Sequence, residues 1–140
     1  MHGNTSSTRG AFAAIVARGG SAVEIARTAR AVWQHIDASL SPIIGRKGVA
    51  ALYRRSVHLR RHDLPALDAL DLDVPADSDF AELQRASACL TSEGAGEMNA
   101  AVLETFRELL TKLIGASLSE RLLRPAWDHL AGNAGQEPPP

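Results

Sequence analysis

Apolar residues recur at helical spacing along most of this chain, which limits the fold to helices packed through apolar stripes. Strands would want β-branched and aromatic side chains, yet aromatics make up only 4% of the residues while Ala and Leu abound. The pattern predicts an all-α protein: an antiparallel bundle of four main helices plus short terminal helices, with no β-sheet. At 140 residues the chain is one domain by length, large enough to bury roughly 68% of its unfolded surface. The polar, Gly/Ser/Thr-rich residues 1–10 read as a disordered tail, 11–132 as the single helical-bundle domain, and the Pro-rich 133–140 as a second disordered tail.

Glycine and proline divide the stripes. A short helix is expected over 9–18, ended by Gly19-Gly20. Ser21, three residues before Glu24, forms a capping box for a helix carrying Ile25, Ala29, Val32, Trp33, Ile36 and Leu40 on one face. Ser41-Pro42 predicts a boundary, because proline disfavours helix in the residue before it. Gly45 and Gly48 then predict a tight turn. A third helix to about His62 is expected to bury Val49, Leu52, Tyr53, Val57 and Leu59. Residues 63–79 read as an acidic connection that Leu64, Leu67, Leu70 and Leu72 would pin to the bundle.

Asp79 with Glu82 predicts the next helix start, with Phe80, Leu83, Ser87 and Leu90 on one face. Gly94 and Gly96 read as punctuation before a helix over 97–114. The apolar residues of that helix, from Met98 to Ile114, spread over an arc wide enough to need cover on two sides. Gly115 is placed as its C-terminal cap. Ser117 with Glu120 predicts the start of a last helix through Leu123, Trp127 and Leu130, interrupted at Pro125 and ended near Gly132.

Shifting the chain by 70 residues sets Ala31, Val32, Leu40, Ile44, Gly45, Leu52 and Arg54 on Ala101, Val102, Leu110, Ile114, Gly115, Leu122 and Arg124. Two readings stay open. The match is an internal repeat, predicting pseudo-symmetric helical hairpins with halves 21–62 and 79–131, or it is the chance agreement of two amphipathic helices in an Ala/Leu-rich chain.

Charge is segregated although the formal net charge is only −1. Arg46, Lys47, Arg54, Arg55, Arg60 and Arg61 fall within 46–62 with no acid among them. Asp63, Asp68, Asp71, Asp73, Asp77, Asp79 and Glu82 fall within 63–82 with no base. On a helix, Lys47, Arg54, Arg55, His58, Arg61 and His62 share an arc of about 120° at 3.6 residues per turn. These six are the candidate partner-binding residues. A cationic helix face suits an acidic or phosphorylated protein partner; the competing reading is a solvated face neutralised by the acidic connection. Nucleic acid is disfavoured, since no aromatics interleave the cations and the chain as a whole is not basic.

A helical bundle can also serve histidine phosphotransfer. His58, beside Arg54, Arg55 and Arg61, is the candidate phosphoacceptor, with His35 second; the residues after His58 lack the usual His-x-x-Lys-Gly context. His58 and His62 are four apart, but no acid or cysteine completes a metal set and arginines surround them, so no metal site is assigned. Ile44-Gly45-Arg46-Lys47-Gly48 lacks the spacing of a phosphate loop. No catalytic residues and no cofactor are assigned. The single Cys89 excludes an internal disulfide and fits a reducing compartment, and no apolar run reaches the ~18 residues of a membrane span; the expected location is cytoplasmic. The sequence therefore points to a non-catalytic regulatory or interaction module. The alternatives are a phosphotransfer-like signalling domain using His58 and a small ligand-binding bundle lined by the 97–114 arc, an arc that ordinary core packing or a homodimer interface explains better.

Overall fold

A computed structural model of the protein describes residues 4–69 and 76–134. Every element among the described residues is helical: α1 (Asn4–Ala17), α2 (Ala22–Arg60), a 3₁₀ turn (Pro65–Ala69), α3 (Ala76–Ala88), α4 (Ser92–Ile114) and α5 (Ala116–Ala134). Five helices pack together. α2 lies against α3, α4 and α5, while α1 lies against α4 and α5.

The core is built where the stripes meet. Ile25, Val32, Trp33, Ile36 and Leu40 of α2 face Met98, Val102, Leu103, Phe106 and Leu110 of α4, all of them buried. Each such side chain removed from water contributes about 1.5–3 kcal/mol. Trp33 sits at the centre of a cluster of four aromatic rings. Its centroid is 5.0 Å from those of Tyr53 and Phe106, both edge-on, and 5.6 Å from that of Phe80, which stacks on it. Rings from three other stretches of chain, the second part of α2, α3 and α4, thus close on one indole.

Several boundaries differ from the sequence expectation, each for a local reason. α1 begins at Asn4, so it takes in residues 4–10 assigned to a tail; Thr8, Phe12 and Ile15 line up on one face and are buried. α2 runs through Pro42 and breaks its helical geometry at Gly45 instead, with φ 80° and ψ 157°. Proline removes one N–H, whereas this backbone conformation is essentially restricted to glycine and changes the helix direction. α3 begins at Ala76, so Asp79 falls inside the helix instead of before it.

Gly94 and Gly96 also lie inside a helix. Thr91 is the N-cap of α4, its hydroxyl accepting from the Gly94 amide at 3.0 Å. Gly96 lets α1 approach, since a Cβ there would stand 3.2 Å from Cβ of Phe12. Ser117 is within α5, whose first turn is closed by the Ser119 amide donating to the Gly115 carbonyl. Leu59 is 41% exposed, not buried. Leu64 is half-buried and Leu67 fully buried, so the start of the acidic connection is pinned as expected; Leu70, Leu72, Asp71 and Asp73 lie outside the described residues.

Positions 70 apart carry like local structure. Ser21 caps α2 by accepting from the Glu24 amide at 3.1 Å, as Thr91 caps α4. Gly45 and Gly115 have φ/ψ of 80°/157° and 91°/157°. The buried positions 25, 26, 28, 29, 32, 33, 36 and 40 each have a buried partner 70 residues on.

Candidate functional site

After the Gly45 kink, α2 resumes with one face to the core and one to water. Val49, Tyr53, Ser56 and Val57 are buried, and the Ser56 hydroxyl is satisfied by donating to the Leu52 carbonyl at 2.7 Å. On the opposite arc Lys47, Arg55 and His58 are exposed and Arg54 is half-buried. The helix ends at Arg60. Arg61 and His62 follow in a turn tightened by the Arg61 amide donating to the His58 carbonyl at 3.4 Å. Of the six predicted residues, four stand on the helix and two on the turn after it, and His58, Arg61 and His62 are brought together at one cleft.

Among the described residues, two aspartates meet the C-terminal end of this stretch. Arg61 Nε donates to Asp68 Oδ1 at 2.9 Å, and a guanidinium nitrogen of Arg60 lies 3.9 Å from Asp63 Oδ2. Both are surface pairs of small energetic weight. His58, Arg61, His62 and Asp68 line a cleft of about 290 Å³. Its donors, two imidazoles and a guanidinium, suit an anionic group, and Asp68 would have to release Arg61 to admit one. His58 stands near the end of α2, not in mid-helix.

Sequence reasoning singled out His35 but not its neighbour. His35 of α2 is exposed, and its ring lies 4.7 Å from that of the half-buried His129 of α5, tilted by 41°. No local signal could pair residues so far apart in the chain; the pairing follows from the packing of α2 on α5. Burial, and then the neighbouring His35, hold the His129 pKa below its ordinary 6.5. The folded chain thus takes up this proton less readily than the unfolded chain, so the His129 penalty is absent above about pH 6.5 and grows as pH falls toward the lowered folded value. Between about pH 7.5 and pH 5.5, the urea midpoint of the wild type is expected to fall further than that of His129→Asn; equal falls would clear His129 of the effect.

A groove of about 350 Å³ opens between α1 and the N-terminal turns of α4, with Phe12, Val16 and Gly96 on its floor and Arg9, Glu93 and Glu97 at its rim. The wide arc of α4 is itself filled by the core, from Met98 to Leu110. Cys89 is exposed. Among the described residues no group of three or more His, Cys, Asp or Glu is placed to hold a metal ion, and no helix is long and apolar enough to cross a membrane. No protein-family model, curated protein or solved structure matches the chain.

Proposed function

We propose that the protein is a non-catalytic interaction module whose basic α2 face binds an acidic or phosphorylated protein partner. What supports this reading is the spacing of Lys47, Arg54, Arg55 and His58 along α2, with Arg61 and His62 in the turn that follows, while Val49, Tyr53 and Val57 of the same helix are buried. We further propose that the chain consists of two pseudo-symmetric halves offset by 70 residues, a reading supported by the paired caps at Ser21 and Thr91 and the paired glycine corners. The two proposals reinforce each other. In the second half, the positions matching the basic face hold Ser117, Arg124, Pro125, Asp128, Ala131 and Gly132. The scaffold thus tolerates a face with one cation at those positions, so folding alone does not account for the six in the first half.

The test is charge reversal at Arg54, Arg55 and Arg61 together, read on arrays of acidic and phosphorylated peptides. Wild-type protein is expected to retain such peptides and to lose them as salt rises. The reversed variant should bind at least about tenfold more weakly, equivalent to about 1.4 kcal/mol, with helical circular dichroism unchanged. A folded variant that binds as well as the wild type would remove the proposal, as would a wild type that retains none.

A further inference from the structure

Imidazole is a preferred ligand of zinc and its neighbours among the transition metals, and two imidazoles from different helices can grip one ion. With metal–nitrogen bonds of about 2.0–2.1 Å in a tetrahedral arrangement, two coordinating rings have centroids roughly 5 Å apart. The His35 and His129 rings are at 4.7 Å, come from α2 and α5, and are tilted by 41° instead of lying flat on each other. Coordination would require each ring to turn about its side chain until one nitrogen from each points at a common position. The exposure of His35 leaves that position open to water, which would fill the remaining coordination positions.

We propose that His35 and His129 form a two-histidine site for a divalent transition-metal ion of the zinc class, clamping α5 onto α2. This inference is independent of the basic face. His58 and His62 form the other histidine pair, but both stand on one short stretch, with Arg54, Arg55 and Arg61 beside them in sequence to repel a cation. Two protein ligands hold an ion far less firmly than the four of a structural zinc site, so occupancy is expected to be reversible and removable by chelator.

An ion that binds only the folded chain raises its melting temperature by mass action. The experiment is a thermal-melt series with zinc chloride against EDTA, joined to histidine ring signals in NMR. For the wild type, zinc is expected to raise the melting temperature and to move the ring signals of His35 and His129. His35→Asn and His129→Asn should each abolish the zinc-dependent rise, whereas the double variant His58→Asn, His62→Asn should keep it. Melting in EDTA shows whether each variant is folded, and the ring signals of the wild type decide the matter where a variant is not. The proposal is overturned if zinc leaves the wild-type rings unmoved, if either folded single variant keeps the full rise, or if loss of His58 and His62 removes it.

Discussion

Truncating Trp33 to alanine should destabilise the protein by about 3–5 kcal/mol, the largest effect of any single substitution considered for this chain. Trp33 is 0% exposed and its ring touches those of Tyr53, Phe80 and Phe106. These three come from the second part of α2, from α3 and from α4. Its removal would open a cavity that all three elements line, and side chains set by their own helices can collapse into it only in part. For a domain of this size the loss corresponds to a melting temperature lowered by roughly 10–20 °C.

Trp33→Phe should cost much less than the lost area implies. The Trp33 Nε1 atom is buried and meets no hydrogen-bond partner among the described residues, an arrangement that costs about 1–3 kcal/mol, and phenylalanine removes that donor while keeping a ring against Phe80. Urea denaturation of the two variants measures both effects. An alanine variant within about 1 kcal/mol of the wild type would mean that the four rings do not form a single core.

What the sequence revealed about this fold was whatever has a short-range cause. The α2 stripe from Ile25 to Leu40 is set by spacing alone, and the core places of Trp33 and Ser87 follow from the same rule. The cap at Ser21 and the stop at Gly115 are set by backbone chemistry within one turn. Glycine was the ambiguous letter. Gly94 and Gly96 look like helix breakers, but one lies in the capped first turn of α4 and the other makes room for Phe12. Only the partner across the interface distinguishes a break from a close approach.

Helical spacing covers only Lys47, Arg54, Arg55 and His58 of the predicted basic face, because α2 ends at Arg60 and leaves Arg61 and His62 in a turn. The pair of His35 and His129 was not legible, because it depends on which helices become neighbours. Serine and aspartate at 117 and 79 misled in another way. Each has a glutamate three residues on, but a capping box needs a chain that is not yet helical, and both residues are inside helices that start earlier.

Alanine at Gly45 and at Gly115 should each cost about 1–3 kcal/mol, although nothing stands within 4 Å of the Cβ added at either place. The penalty is therefore one of backbone conformation and not of space. Both residues hold φ near +80° to +90° with ψ at 157°, a region that L-residues with a side chain rarely enter. Gly10 supplies the control. It is exposed within α1, its added Cβ also meets nothing, and its φ is not positive, so alanine there should stabilise by roughly 0.5–1 kcal/mol. The three single variants can be compared by urea denaturation on one chain. A Gly45→Ala variant that gained stability as Gly10→Ala does would mean that α2 runs straight past residue 45. The helix carrying Lys47 to His58 would then point in another direction, and its cations would no longer lie where the Gly45 corner places them relative to His35.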